Sequence, residues 1–179
     1  MTTSADAPHI LFLCTGNAAR SVMAGAALEA RLPDVVVETA GTLTVDGQPM
    51  SWRTRTGLES VGLTSPSHRS RQASASDLAK ATLIVGLAPE HVLWVRRNHD
   101  RAAPRTATLK RLCRDLAIDA RPLSARVADL ALDGVELEDW EEVVDPGGGE
   151  VDEFVACAHE VFGLIERLAH VLPSSALDT

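Results

Sequence analysis

Hydrophobic and polar residues alternate along this chain in blocks that indicate strands and helices in turn. Residues 9–14 (HILFLC) form a short run that is apolar on both faces, which is typical of a strand buried inside a parallel sheet. Apolar positions spaced three and four apart from Ser21 to about Arg31 predict a helix, which Pro33 cannot continue. A β-branched run at 35–37 predicts a second strand. Together these elements indicate a βαβ unit with a right-handed crossover.

The same patterns predict the rest of the chain. The predicted elements are a helix from about Ser51 to Val61, a brief helix at 78–80, a strand at 82–87, a helix from Pro89 to about Asn98, a strand near 106–109 and a final helix from Val151 to about Leu172. The final helix carries a continuous apolar stripe at helical spacing. Because no repeat or linker interrupts this alternation, we expect one α/β domain over residues 1–179, with frayed ends at 1–8 and 173–179.

Composition narrows the class of protein. The chain has 179 residues, 45% of them hydrophobic, and a net charge of −8, which favours a globular acidic protein over a nucleic-acid binder. Three widely spaced cysteines (Cys14, Cys113 and Cys157) suggest neither a disulfide framework nor a zinc site. Residues 1–8 lack the features of a signal peptide, and no apolar run reaches the roughly 18 residues of a membrane span. We therefore expect a cytoplasmic protein without a membrane partner; the oligomeric state stays open.

Charge is distributed unevenly in the second half of the chain. Residues 96–114 are rich in arginine and lysine, and ten carboxylates lie between Asp133 and Glu153. Such runs are usually solvated surfaces, and we expect each of these two to be one.

The clearest chemical signal follows the first strand. Cys14 ends the strand, five small or polar residues follow, and Arg20 and Ser21 begin the helix. A thiolate at a helix N-terminus faces backbone N–H groups and the positive end of the helix dipole, which also suit a tetrahedral anion. Arg20 can bind two oxygens of that anion, and Ser21 can donate a hydrogen bond to the thiolate. This combination indicates phosphoryl transfer through a phosphocysteine.

A cysteine at the end of a strand is more often a buried structural residue, so Cys14 alone would predict little. The spacing of Cys14, Arg20 and Ser21 around a strand-to-helix turn favours the catalytic interpretation. We expect the anion to lie against the loop formed by Thr15, Gly16, Asn17, Ala18, Ala19, Arg20 and Ser21.

This loop, CTGNAARS at 14–21, resembles the C-x5-R-S loop of low-molecular-weight protein tyrosine phosphatases, which thioredoxin-coupled arsenate reductases share. The resemblance extends to segments 39–42 (TAGT), 68–72 (HRSRQ) and 144–146 (VDP). It implies a doubly wound sheet of about four parallel strands flanked by helices, with the site at their C-terminal ends. It also implies that neither a cofactor nor a metal is required.

The resemblance assigns a role to each matched residue. Cys14 would be the nucleophile, Arg20 and the loop amides would hold the phosphoryl oxygens, and Asp145 would be the general acid and base. Asn17 would hold the loop in a left-handed backbone conformation, with His68 supporting it. Ser21 would stabilise the thiolate. The expected substrate is a phosphorylated protein, with phosphotyrosine first, or a small phosphomonoester.

The chain departs from the family pattern where the substrate's leaving group would lie. Gly147–Gly149 follow the Asp-Pro pair, where tyrosine phosphatases usually have aromatic residues that sandwich the substrate ring. Ala19 replaces a second loop cysteine and Val22 replaces a proline. Trp52 could line the mouth of the site or pack as an ordinary helix aromatic. Two alternative functions stay open: an arsenate reductase that uses an external thiol, and a non-catalytic oxyanion-binding domain.

Overall fold

Four parallel strands form the centre of the structure, a computed structural model that describes residues 7–172. The strands are β1 (His9–Cys14), β2 (Val36–Gly41), β3 (Leu83–Gly86) and β4 (Thr106–Thr108). Their order across the sheet is β2-β1-β3-β4, and every neighbouring pair is parallel. Helices cover both faces, so the predicted doubly wound α/β fold is confirmed.

Seven α-helices of the described residues surround the sheet. They are α1 (Arg20–Arg31), α2 (Trp52–Ser60), α3 (Ala75–Lys80), α4 (Pro89–Asn98), α5 (Leu109–Asp115), α6 (Leu123–Ala128) and α7 (Val151–Val171). Two short 3₁₀ segments lie at Asp100–Arg105 and Asp139–Glu141. No helix between residues 7 and 172 is both long enough and apolar enough to cross a membrane. Of the ends expected to fray, residues 1–6 and 173–179 lie outside the described residues.

The side chains of β1 alternate between two cores, as a strand in the middle of a sheet requires. Ile10 and Phe12 point into the larger core, which contains the apolar faces of α1, α2, α5 and α7. Leu11 and Leu13 point into a smaller core beside α3 and α4. All four side chains are fully buried. Cys14 continues the alternation on the side of the larger core.

The predicted second strand at 35–37 was wrong in extent, because β2 runs from Val36 to Gly41. Its pairing with β1 continues as far as Cys14 opposite Gly41. β2 is an edge strand and several of its residues are only partly buried, so Glu38 and Thr39 can occupy strand positions. Because these polar residues do not match the apolar pattern of a buried strand, the sequence did not predict the second half of β2.

The prediction that both charged runs are solvated surfaces holds for most of their charged residues, but it was wrong for one residue in each run. Arg111 and Glu141 are both buried and form an ion pair, and Thr108 donates a 2.6 Å hydrogen bond to Glu141. Arg96 donates to the backbone carbonyls of Leu132 and Val135. The basic run therefore anchors the acidic run to the body of the domain.

The topology determines where a site can form. β1 and β3 are neighbours, but the chain leaves β1 toward β2 on one side and reaches β3 on the other. Ligands of doubly wound sheets bind in the crevice that opens at the C-terminal ends of two such strands. The loop after β1 and the start of α4 after β3 border this crevice.

Candidate active site

The loop after β1 is shaped by Asn17. This residue is fully buried and has a positive φ of 51°, the left-handed conformation that asparagine tolerates better than most residues. Its side-chain nitrogen donates to Ser21 Oγ (2.9 Å) and Thr39 Oγ1 (3.0 Å). Its side-chain oxygen accepts a hydrogen bond from the backbone N–H of Arg71 (3.0 Å). The amide therefore ties the loop to α1, to β2 and to the segment before α3.

Cys14 lies at the bottom of this loop with only 3% of its surface exposed. Its Sγ atom is 3.0 Å from Ser21 Oγ, in the first turn of α1. Because Ser21 Oγ already accepts a hydrogen bond from Asn17, its own hydrogen is available to the sulfur. The arrangement can stabilise a thiolate at the N-terminus of a helix.

Arg20 brings a buried positive charge to the same place. Its side chain is 2% exposed, and its Nη1 atom donates to the carbonyl of Val143 (3.1 Å). Its Nη2 atom donates to Asp145 Oδ2 (3.0 Å). Arg20 thus joins the loop to the segment that carries Asp145, although 125 positions separate the two residues.

Asp145 lies at the mouth of the site with half of its side chain exposed. Its Oδ1 atom accepts a 2.9 Å hydrogen bond from the backbone N–H of Gly147, which fixes the carboxylate while Oδ2 contacts Arg20. Gly148 adopts a positive φ of 81°, so the turn that follows suits glycine. The structure therefore places a carboxyl group beside the guanidinium, with no aromatic side chain between Asp145 and Glu150.

His68 is half-buried behind the loop. Its Nε2 atom lies 2.8 Å from the backbone carbonyl of Asn17, which can only accept, so the proton is assigned to Nε2. Burial lowers the pKa of His68, and the charge of Arg69 acts in the same direction, while the hydrogen bond to Asn17 opposes them. A neutral imidazole that donates to the loop is the result.

The other predicted loop residues form the wall of the site. Gly16 and Ala18 are exposed, whereas Ala19 is buried beneath the loop. The Thr15 carbonyl accepts a 3.0 Å hydrogen bond from Leu43 N, and the Ala18 carbonyl accepts one of 2.9 Å from Thr54 Oγ1. Segments before and within α2 therefore border the loop on two sides.

Sequence reasoning missed Glu90 and His91, which lie in the first turn of α4. Glu90 Oε1 lies 3.2 Å from Thr15 Oγ1 and 3.9 Å from Arg20 Nη2. His91 Nε2 lies 3.2 Å from Thr15 Oγ1. No local motif marks these residues; the available signal was their place directly after β3, at the crevice beside the β1 loop.

The other two cysteines have different surroundings. Cys157 is buried in α7, and burial raises the pKa of its thiol to about 12. Burial also raises the pKa of Cys113, whose Sγ donates to the carbonyl of Leu164. Both stay protonated near neutral pH and are poor nucleophiles. No group of three or more His, Cys, Asp and Glu side chains that could hold a metal ion occurs in residues 7–172.

Comparison with known proteins places this site in a family. Residues 9–129 match the family described as low molecular weight phosphotyrosine protein phosphatase. The matched region contains the whole loop, His68 and the start of α4.

Individual relatives cover almost the whole chain. A protein-arginine-phosphatase from Geobacillus stearothermophilus is 31% identical over 165 residues, which are 92% of this chain and 95% of the relative. The solved structure of the YwlE arginine phosphatase from that organism has a TM-score of 0.72 at 30% identity and covers 91% of each chain. A low molecular weight protein tyrosine phosphatase from T. tengcongensis has a TM-score of 0.74 at 25% identity, over 93% of this chain and 100% of that one.

Proposed function

The chain belongs to the low molecular weight phosphotyrosine protein phosphatase family, and we propose that its Cys14–Ser21 loop removes phosphoryl groups from phosphorylated protein side chains. Family membership makes it a cysteine-dependent phosphatase, which decides against the arsenate reductase and the non-catalytic domain. The observation that carries the assignment of residues is the convergence of Cys14, Arg20 and Asp145, from two ends of the chain, on one crevice.

Each residue has a definite part in the proposed reaction. The Cys14 thiolate attacks phosphorus, so that a P–S bond forms as the bond to the leaving atom breaks. Arg20 and the loop N–H groups hold the phosphoryl oxygens. Asp145 gives its proton to the leaving atom and then takes one from the water that attacks phosphorus and releases Cys14. Ser21 donates to the thiolate when it leaves.

We propose phosphoarginine as the preferred side chain. The relative that shares 31% of its residues is a protein-arginine-phosphatase. The glycines at 147–149 offer no aromatic surface to sandwich a phenyl ring. A guanidinium group needs no such surface and instead requires hydrogen-bond acceptors, which the carboxylates beside Arg20 provide.

Phosphotyrosine is the second candidate, because two large apolar side chains border the loop. Leu43 is 79% exposed and its backbone N–H bonds to Thr15. Trp52 is 58% exposed at the start of α2, two residues before Thr54, which bonds to Ala18. These side chains could pack against an aromatic ring or against residues that flank the phosphorylated one.

The experiment measures phosphate release from two peptides of one sequence that carry phosphoarginine or phosphotyrosine at the same position, and from an aryl phosphate. We expect turnover of all three, with the highest kcat/KM for the phosphoarginine peptide. Cys14→Ser should abolish turnover of every substrate, whereas Cys113→Ser should not. Absence of turnover in folded wild-type protein that still binds phosphate would contradict the catalytic assignment. A higher kcat/KM for phosphotyrosine would contradict the substrate assignment alone.

We also propose a cytoplasmic location. All three cysteines, which lie within the described residues, are unpaired thiols, the usual state of cysteine in a reducing compartment. Fractionation of cells that produce the protein tests this, and recovery outside the cytoplasmic fraction would contradict it.

A further inference from the structure

Glu90 occupies a place at the active site that the proposed mechanism leaves unused. It is the second residue of α4, which starts where β3 ends, and the crevice beside β1 brings it to the phosphate-binding loop. Thr15 donates a 3.2 Å hydrogen bond to its carboxylate. The Glu90 side chain is 66% exposed, so it borders the mouth of the site.

Two carboxylates converge on one atom of the loop arginine. Asp145 Oδ2 is 3.0 Å and Glu90 Oε1 is 3.9 Å from Arg20 Nη2. Asp145 has a catalytic role, but Glu90 lies on a different element and has none. A second negative charge beside an anion-binding loop opposes the binding of a phosphoryl dianion. A substrate whose remaining part carries positive charge would be attracted by the same carboxylate.

The neighbouring histidine does not cancel this charge. His91 Nε2 is 3.3 Å from Glu90 Oε1, and only 1% of the His91 side chain is exposed. Burial, together with the charge of Arg20, lowers the pKa of His91 to about 3. His91 is therefore neutral near pH 7 and provides no positive charge to the exposed Glu90 carboxylate.

We propose that Glu90 is a specificity-determining residue that binds the guanidinium group of a phosphoarginine side chain while the phosphoryl group lies in the Cys14–Ser21 loop. The inference rests on the proposed function, since it concerns the same site and the preferred substrate. A phosphorylated guanidinium keeps N–H donors beside the P–N bond, in a planar arrangement that matches a carboxylate. A tyrosine ring has no donor to offer at that place, so Glu90 would face it without a partner.

The contacts of Glu90 with Thr15 and His91 keep its carboxylate at the mouth before the substrate arrives. A pre-positioned acceptor loses little freedom when it binds a ligand. Glu90 and Asp145 would then contact the substrate from two elements, α4 and the segment before α7. Asp145 would transfer the proton, and Glu90 would only bind.

The experiment compares wild-type protein with Glu90→Gln, which keeps the shape and removes the charge, on the matched phosphoarginine and phosphotyrosine peptides. We expect kcat/KM for phosphoarginine to fall about 10- to 100-fold, the usual effect of losing one charged hydrogen bond. We expect kcat/KM for phosphotyrosine to rise about two- to threefold, because a repelling charge is gone. Glu90→Asp should recover part of the phosphoarginine activity.

Glu142→Gln is the matched control, since it removes another exposed glutamate from the segment that leads to Asp145. It should change the ratio of the two kcat/KM values by less than about twofold. An equal fall on both peptides in Glu90→Gln, or no fall on phosphoarginine, would overturn the role of Glu90 while the proposed function stands. Wild-type protein that hydrolyses phosphotyrosine but not phosphoarginine would overturn both proposals.

Discussion

The two halves of the site are held in place in different ways. The phosphate-binding loop consists of eight consecutive residues, and Asn17 ties it both to Ser21 within the same stretch and to Thr39 outside it. The segment that carries Asp145 forms short turns of its own, such as the bond from Gly147 N to Asp145 Oδ1. It is held from outside, because Val143 N donates to the carbonyl of Leu87 (2.8 Å) and the carbonyl of Val143 accepts from Arg20 (3.1 Å).

The Asp145 segment depends above all on a buried ion pair at its start. Glu141 has no exposed surface and bonds to Arg111 and Thr108, on the far side of β3. Burial alone would raise the pKa of Glu141, but the hydrogen bonds from Arg111 and Thr108 outweigh it and lower the pKa. Changes in the loop should therefore affect chemistry on every substrate, whereas changes at the ion pair should affect only the step that uses Asp145.

The largest expected effect tests the loop. Arg20→Lys keeps the positive charge but removes the planar fork that contacts Val143 and Asp145 and that would hold two phosphoryl oxygens. We expect kcat/KM to fall about 10³-fold, by a similar factor on aryl phosphates with good and with poor leaving groups. Steady-state kinetics on a series of aryl phosphates checks this. A fall confined to poor leaving groups would show that Arg20 acts mainly by placing Asp145.

The next effect tests the Asp145 segment from a distance. Glu141→Gln leaves the buried Arg111 with Asp115, 3.3 Å away, as its remaining charge partner and should lower the free energy of unfolding by about 3 kcal/mol. In the protein that remains folded, we expect kcat/KM to fall about tenfold or more for poor leaving groups and less than threefold for good ones. Only the poor leaving groups need a proton from Asp145.

Thr108→Val is the milder companion, because it keeps the volume of the side chain and removes the hydrogen bond to Glu141 together with the one that Arg111 N donates to Thr108 Oγ1 at the start of α5. It should cost about 1–3 kcal/mol and give the same pattern at reduced size. Equal losses on all leaving groups in both variants would mean that the ion pair supports the whole fold rather than the Asp145 segment.

This contrast explains what could be predicted from the sequence. The loop and the helices around it follow from short-range patterns: Cys14, Arg20 and Ser21 lie within one strand-to-helix turn, and the apolar stripe of α7 repeats at helical spacing. The ion pair between Arg111 and Glu141 leaves no such pattern, since each residue lies among similar charges. Burial of one member of a charged run is a tertiary property that composition cannot show.

For the same reason, the sequence predicted the loop on the β1 side of the crevice but not the residues on the β3 side. Glu90 and His91 lie at the site because β3 lies beside β1. The order of strands in a sheet cannot be inferred from any single segment of the sequence. The extent of β2 was concealed by Glu38 and Thr39, which an edge strand accommodates. Contacts between distant segments therefore account for most of what the sequence could not reveal.

A smaller effect concerns the support of the loop by β2. A Cβ atom at Gly41 would lie 2.6 Å from the carbonyl oxygen of Thr15 and would overlap Thr44 Oγ1. Gly41→Ala should therefore destabilise the protein by about 1–3 kcal/mol and lower activity on all leaving groups alike. Gly163→Ala is the control, because at that helical position the new Cβ has no atom within 4 Å apart from its chain neighbours and the backbone of its own helix, and the change should gain up to about 1 kcal/mol. Urea unfolding of both variants checks the signs, and an unchanged or raised stability in Gly41→Ala would contradict the close contact.

The smallest expected effect is a difference in the pH ranges over which the loop and the Asp145 segment lose stability. His91, beside the loop, has its pKa lowered from 6.5 to about 3, so below about pH 6.5 the unfolded chain binds a proton that the folded protein does not. Stability therefore falls as the pH drops through this range, by about 2 kcal/mol at pH 5. Glu141 behaves differently. Because its pKa is lowered in the folded protein, its contribution to stability is lost only as the pH falls below 4.5, the ordinary pKa of a glutamate.

Urea unfolding at pH 7.5 and pH 5 distinguishes these contributions. His91→Gln cannot titrate, so its loss of stability between the two pH values should be smaller than that of wild-type protein by about 2 kcal/mol. His159→Gln is the matched control, because it removes one histidine from the exposed face of α7. A loss in His91→Gln as large as in wild-type protein would mean that His91 gains a proton in the folded state at pH 5. Glu90 would then have a positively charged neighbour at pH 5. The loop and the Asp145 segment would no longer lose stability over different pH ranges.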